Sequence, residues 1–344
     1  MGISNGLKQK YDVITIGGAT YDITFFPIKS EMFLIDNEKD ILRQKLLAFE
    51  HGAKISSEKV VHGFGGGAAN TAVSFASFGF KSSAIIATGD DLFGNEIISN
   101  FKKKKVGIEL IQKTAKQKSD FAVIIIGPDK DRIIFRDDNV KNKLELNRKG
   151  IAALKNTKWI YLASLSGDWQ RILAQVFAVK NKKRKLRIAW NPGLSQLVGG
   201  LKELSFFFKY TEVLILNQDE ATQLVTSDPK VKKENIVPSD VKNLLSIIKN
   251  YGPRTVVITC GRDGAWAYDG VKMYYAPIIE KGERLDTTGV GDAFGSSFVA
   301  GLELFKDDID KAMKLGILNT SSVVAAPGAQ NGLLGKKDLK NLDI

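Results

Sequence analysis

The ten residues DTTGVGDAFG, Asp286–Gly295, decide how this chain is read. Two acids flank a Thr-Thr-Gly-Val-Gly turn, and DAFGSSFVAGLELF (292–305) follows with the spacing of an amphipathic helix. That places Gly289, Val290 and Gly291 at a helix N-terminus, where backbone N–H groups have no intrahelical partner. The helix dipole adds positive potential there, so such an end holds an anion. Glycine lets the anion close on the backbone. Asp292 at the same end is a poor choice for a site that only binds an anion. It suits a site in which a carboxylate removes a proton from a nucleophile attacking that anion. The stretch alone is equally compatible with Asp292 as an ordinary N-cap, a position aspartate favours.

Working outward, YDVITIGG (11–18), SSAIIATG (82–89), WIYLAS (159–164), LRIAWNPG (186–193), EVLILNQDEA (212–221) and TVVITCG (255–261) read as mostly apolar strands. Helical stretches near 70–80, 93–105, 168–181 and 240–250 lie between them. Near-continuous apolar strands alternating with helices predict an α/β fold whose central, mostly parallel sheet is flanked by helices. Residues 23–64 break the alternation with DITFFPI, a charged helical stretch near 38–50 and KISSEKVVHGF. Together with a hairpin over 121–127 and 132–138, they predict a small β-rich lid formed by 23–64 and 121–138. Ligands of open α/β sheets bind outside the carboxyl ends of the strands, where a lid can close over them and exclude water. The expected organisation is one domain over 11–344 behind a tail at 1–10.

Composition narrows the class. The 344 residues are 44% hydrophobic and 26% charged, which is globular. The single cysteine, Cys260, excludes an internal disulfide framework and suits a reducing cytoplasm. No signal-peptide core precedes the first strand, and no apolar run approaches the ~20 residues of a membrane-spanning helix. The expected location is cytoplasmic, with no membrane partner. The net charge of +12 gathers in FKKKKVG (101–107), KNKKRK (180–185) and KVKKE (230–234). These runs are scattered and carry no interleaved aromatics. They read as solvated helix ends rather than a nucleic-acid surface, though a positive potential still attracts an anionic substrate. His51 and His62 are too few and isolated for a metal cluster.

Several motifs, in their order along the chain, resemble the ribokinase-like family, also called the PfkB carbohydrate kinases. DTTGVGDAFG resembles its C-terminal signature, which implies Asp292 as catalytic base and Gly289, Val290 and Gly291 as the anion hole for a transferring phosphoryl group. GGATYDI (17–23) resembles the first-strand motif and implies Asp22 as a ligand of substrate hydroxyls. FGGGAANTA (64–72) resembles the sugar-binding hinge and brings Gly65, Gly66, Gly67 and Asn70 to the substrate. LNQDEA (216–221) resembles the Asn-x-x-Glu motif near metal and phosphates, giving Asn217 and Glu220, the latter toward Mg²⁺ through water. TCGRDG (259–264) resembles the nucleotide-binding loop and gives Thr259, Gly261 and Gly264. APGAQ (326–330) resembles the segment closing the adenine and monovalent-cation sites, with Gly328. Asp286 and Thr288 are the implied ligands of a K⁺ ion. GDDLFG (89–94) and NPG (191–193) also fall in family order. The implied activity is ATP-dependent phosphorylation of a hydroxyl on a small sugar-like substrate.

The departures bear on substrate. Thr20 stands where the family often has Asn, and Gly67 stands where ribokinase proper has Lys, so ribose is not singled out. Simpler structural roles exist for Asp22 (a turn), Asn70 (an N-cap) and Glu220 (a helix-start acid). The long separation of Asp22 from Gly65, with Phe25, Phe26 and Phe33 within it, is compatible with a nucleoside kinase of the same fold. A non-catalytic nucleotide- or polyanion-binding protein is the alternative of another class. An exposed lid edge would favour a homodimer.

Overall fold

Strands rich in Val, Ile and Leu need cover on both faces, and the computed structural model provides it. It describes residues 10–36, 45–228, 231, 240–279, 284–342 and 344. The tail at 1–9, residues 38–44 of the expected 38–50 helix and nearly all of the 230–234 lysine run lie outside these residues. The main sheet contains β1 (Val13–Ile16), β6 (Ser82–Ile85), β11 (Trp159–Leu162), β12 (Arg187–Trp190), β13 (Val213–Asn217), β14 (Thr255–Thr259), β15 (Ala265–Tyr268) and β16 (Met273–Ala276). Their order is β16-β15-β14-β13-β12-β11-β1-β6. β14 through β6 run parallel, and β15 and β16 add an antiparallel edge. Alternation sends Ile14, Ile160, Ile188 and Leu214 to one layer, packed with Leu173, Phe177, Leu204 and Leu245. Val13, Tyr161, Ala189 and Ile215 face the other, packed with Phe75, Phe101, Phe294 and Phe298. Helix starts are set locally: Asp91, Asn147, Asp168, Asp240 and Asp308 each accept a backbone N–H from the following turn.

A second sheet contains β2 (Thr20–Pro27), β5 (Ser57–Gly65), β9 (Phe121–Ile126) and β10 (Arg132–Asp137), in the order β10-β9-β2-β5. Only the β2–β9 pair is parallel. Its two faces differ. Asp22 and Thr24 on β2 and Ala122, Ile124 and Ile126 on β9 are buried on one face. The alternate residues Ile23, Phe25, Val123 and Ile125 are half-buried. A two-stranded hairpin, β3 (Phe33–Asp36) with β4 (Lys45–Ala48), stands nearby in sequence. The helix expected near 38–50 is therefore not found at 45–48, where alternating contacts with β3 favour a strand. The run at 82–89 also breaks after Ile85: β7 (Ala87–Gly89) leaves the main sheet to pair with β8 (Gln112–Thr114).

The main sheet changes winding direction at β1. From β1 the chain passes first to β6 on one side and later to β11 on the other. The crevice at such a reversal, outside the carboxyl ends of the strands, is where this class of sheet binds ligands. Gly17 and Gly18 leave β1 there and Ala163 and Ser164 leave β11. A Cβ on Gly17 would stand 3.0 Å from the Ser164 carbonyl oxygen and 3.1 Å from Ala163 Cβ.

Candidate active site

The helix Val290–Leu304 starts at this crevice. Its N-cap is Gly289, in the left-handed region at φ +73°, and no side chain caps it. Asp292 lies inside the first turn, so the N-cap alternative does not hold. Its Oδ2 instead accepts a hydrogen bond from Asn70 Nδ2 at 2.8 Å. Burial raises the Asp292 carboxyl above its ordinary range, and the Asn70 bond opposes that shift. A Cβ on Gly289 would stand 2.4 Å from Ala329 Cβ, which fixes the turn against the C-terminal loop. The space above Gly291 is open: apart from its own helical turn, no described atom lies within 4 Å of where its Cβ would be. An anion can therefore reach the free N–H groups from that side.

The glycine run at 65–67 gathers the two acids. A Cβ on Gly65 would fall 2.2 Å from Asp22 Oδ2, and one on Gly67 would fall 3.3 Å from Asp292 Oδ1. The helix Gly67–Ser77 has Gly66 as its N-cap. Asn70 therefore sits a turn in, buried, and not at the cap, because the tight approach of Gly66 to Gly18 starts the helix earlier than the glycines suggest. Asp22 is 6% exposed and accepts from Thr20 Oγ1 at 2.7 Å. Burial pushes its carboxyl up to about 6, the Thr20 hydroxyl opposes this, and nearby Asp286 adds to the rise. Asp286 braces the turn: one carboxylate oxygen accepts from Thr288 N and the other from Gly328 N, each at 2.8 Å. The Thr288 hydroxyl is buried with no hydrogen-bond partner among the described residues.

The nucleotide-side candidates converge less completely. Asn217 and Thr259 are register partners at the carboxyl ends of β13 and β14. Asn217 and Glu220 form a reciprocal capping box, with Glu220 N donating to Asn217 Oδ1 at 2.8 Å and Asn217 N donating to Glu220 Oε2 at 2.9 Å. The helix-start role of this pair is thus real. Burial raises the Glu220 carboxyl, and Asp292 is one of the charges that raise it further, which places the two acids in one electrostatic field. Gly261 leaves open space beside Thr259. Gly264 serves the β14–β15 turn, since its Cβ would strike the Ala276 carbonyl oxygen at 2.2 Å. Asp168 caps its own helix by accepting from Arg171 N. Cys260 is half-buried, and burial pushes its thiol up to about 11, away from nucleophilic chemistry.

Sequence reading missed four residues. Arg132 starts β10 and its guanidinium donates to the hydroxyl of Thr287 in the glycine turn. β10 pairs Arg132 with Ile126, so it shares the face that carries Asp22. The hairpin was legible, but which face Arg132 takes depends on register. Tyr161 is fully buried beneath the helix of Asp292, its hydroxyl without a partner among the described residues. A Cβ on Gly295 would stand 2.3 Å from that hydroxyl. Gln330 and Asn100 reach Asn70 from distant segments, and nothing local marks them.

Among the described residues no cluster of three or more His, Cys, Asp or Glu side chains is placed to hold a metal, and no helix is long and apolar enough to cross a membrane. The profile of the pfkB family of carbohydrate kinases matches residues 32–335. The ATP-dependent 6-phosphofructokinase of Thermoanaerobacterium thermosaccharolyticum is 22% identical over 315 residues, covering 90% of this chain and 86% of that protein. The ribokinase of Lactococcus lactis is 28% identical over 286 residues, covering 81% and 87%. The solved nucleoside kinase of Methanocaldococcus jannaschii, 20% identical, superposes with a TM-score of 0.69 over 96% of this chain and 98% of its own, and shares the fold. The family profile spans most of the chain and the relatives cover most of both lengths, so the chain belongs to the PfkB family of carbohydrate kinases and is an ATP-dependent phosphotransferase.

Proposed function

We propose that this kinase phosphorylates a hydroxyl of a small sugar-like substrate, with Asp292 as general base and Gly289–Gly291 as the anion hole. The observation that carries this is the position of Asp292: inside the first turn, uninvolved in capping, and held by Asn70 at an open anion site. In this mechanism Asp22 accepts from substrate hydroxyls. Asp292 accepts the proton of the attacking hydroxyl. The free N–H groups of Val290 and Gly291 stabilise charge on the γ-phosphoryl group, in a reaction that depends mostly on positioning and electrostatics. Arg132 would add a positive charge beside that turn. The second sheet acts as a lid over the crevice.

The cation assignments fit the donor chemistry. Asp292 and Glu220 disfavour each other's ionisation, and a Mg²⁺ carried by the nucleotide phosphates, reached from Glu220 through water, would relieve that. Asp286 and the orphaned Thr288 hydroxyl offer oxygen ligands suited to K⁺. A nucleoside acceptor is the second reading. It is favoured by Phe26, which packs over the face of the lid sheet that carries Asp22.

The test is Asp292→Asn, assayed by ADP release with a panel of ribose, fructose 6-phosphate, inosine and adenosine. Turnover should fall by ~10²-fold or more, the scale of losing a general base. Thermal protection by MgATP, which follows from mass action, should persist. A folded Asp292→Asn protein with unchanged turnover overturns the assignment.

A further inference from the structure

We propose that Gln330 and Asn100 are positioning residues that determine which end of the Asn70 amide meets Asp292. The inference rests on the reading of Asp292 as the base. Three hydrogen bonds run in one line. Asn100 Nδ2 donates to Gln330 Oε1 at 2.8 Å, Gln330 Nε2 donates to Asn70 Oδ1 at 3.0 Å, and Asn70 Nδ2 donates to Asp292 Oδ2 at 2.8 Å. The three amides are 5% to 6% exposed, so water does not compete for them. They come from three separate places: the helix Leu92–Lys103, the loop after the helix Ile309–Val324, and the helix Gly67–Ser77.

A side-chain amide has a donor end and an acceptor end of nearly the same shape. Packing alone therefore does not choose between the two orientations of Asn70. The choice matters at Asp292. With Nδ2 toward the carboxylate, Asn70 favours its ionised form and aims its second oxygen. With Oδ1 toward it, two acceptors face each other, and the contact is satisfied only when Asp292 carries a proton. A protonated Asp292 cannot act as base. The line couples the three amide orientations, so that none turns without the others. Asn100 occupies the Gln330 oxygen, which leaves the Gln330 Nε2 for Asn70, which leaves the Asn70 Nδ2 for Asp292. Burial makes each step obligatory, because an unpaired buried donor or acceptor costs about 1–3 kcal/mol, and polarity is handed along the line.

This makes an expectation that a merely structural network does not. Gln330→Glu places an acceptor-only group opposite Asn70 and should draw its Nδ2 away from Asp292. Asn100→Asp should do the same from one residue further off. Its carboxylate accepts from Gln330 Nε2, turns the Gln330 oxygen toward Asn70, and so turns Asn70 as well, although Asn100 makes no contact with Asp292 in the hydrogen-bond line. Gln330→Met interrupts the line without reversing it.

The experiment compares the full-length protein, these three variants and Asp292→Asn. It measures kcat and the KM values for MgATP and for acceptor, each varied in turn, across acid and neutral pH, with whichever of ribose, fructose 6-phosphate, inosine or adenosine turns over fastest. Thermal melts are run alongside. Gln330→Glu and Asn100→Asp should lower neutral-pH kcat by roughly tenfold, less than loss of the base itself. Both should move the acid limb of kcat to higher pH while KM for MgATP stays the same. Gln330→Met should lower kcat severalfold and leave the limb in place. It carries no new charge and covers the case in which the charged variants fail to fold. If folded variants melt lower but keep the wild-type kcat profile, the line is only structural and the proposal falls. If Asp292→Asn loses turnover while the amide variants do not, the positioning proposal alone fails. If Asp292→Asn keeps turnover, the base assignment and the positioning role fall together.

Discussion

At the scale of single residues, Asp22 shows how its proposed role is set against stability. Its carboxyl is held near 6 in the folded chain against an ordinary value of 3.8, chiefly by burial. The folded state therefore binds the proton more tightly than the unfolded chain does. The stability that the protonated group contributes is fully present below about pH 4 and is lost as pH rises through about 6. Two pKa units correspond to ~3 kcal/mol as an upper figure. Asp22→Asn, which can still accept from Thr20, should accordingly melt at a higher temperature than wild type at pH 8 and at the same temperature near pH 4. Turnover should fall with a raised acceptor KM. Melting curves across pH check this, and a difference that does not change with pH would contradict it. Asp22, Asn70 and Asp292 were legible in the sequence because each stands in a short motif whose chemistry is local. Gln330, Asn100 and Arg132 were not. Their partners are more than a hundred residues away, and their roles depend on which amide or guanidinium points inward after folding.

At the scale of elements, the glycine turn and its helix carry the argument. Helix starts and buried strands were readable because capping residues and apolar runs act locally. The β15–β16 edge and the strand at 45–48 were not, since short strands take their identity from partners. The two glycines of the turn separate into different jobs. Gly289 is a backbone requirement: φ is +73° and Ala329 blocks a side chain. Gly289→Ala should lose roughly 1–2 kcal/mol for the left-handed backbone alone, with further loss from the clash. Gly291 has an ordinary φ and open space. Gly291→Ala should fold as well as wild type or slightly better, since alanine favours helix over glycine by up to ~1 kcal/mol. Its methyl group would stand where the anion approaches, so turnover should fall by about 10²-fold, the scale of losing one preorganised donor. Thermal melts paired with MgATP titrations distinguish the two. If both variants lose stability equally, Gly291 is also structural and the open side is not the anion's approach.

At the scale of the whole molecule, the two sheets divide the work. The parallel sheet was readable from its alternating strands and helices, and its winding reversal dictates where the site lies. What the sequence left open was how the second sheet is turned. Register answers it: Asp22, Ala122, Ile126 and Arg132 share the face toward the crevice. The opposite face is largely apolar; Tyr21 and Phe121 at one end pack on Phe93, and among the described residues Ile23, Phe25, Val123 and Ile125 stay half-buried. Val60, Phe25, Ile125 and Ile133 form one row across four strands by their pairing. Phe135 stands in the adjacent row, 59% exposed, with Val60 43% exposed. A partly exposed apolar sheet face of this kind is where an association surface is to be sought, and β10 is the edge strand of the sheet among the described residues. A second copy of the chain is the occupant this reading favours. Light scattering should give twice the chain mass at micromolar concentration. Phe135→Glu combined with Val60→Lys should reduce it to one chain mass, because both charges would be buried in a symmetric contact. MgATP should protect the monomeric variant as it protects wild type, since the proposed nucleotide side lies at β13, β14 and the Val290–Leu304 helix. Acceptor KM should rise, because the face behind Asp22 loses its support. A wild-type protein that stays at one chain mass at every concentration would assign that face to some other partner.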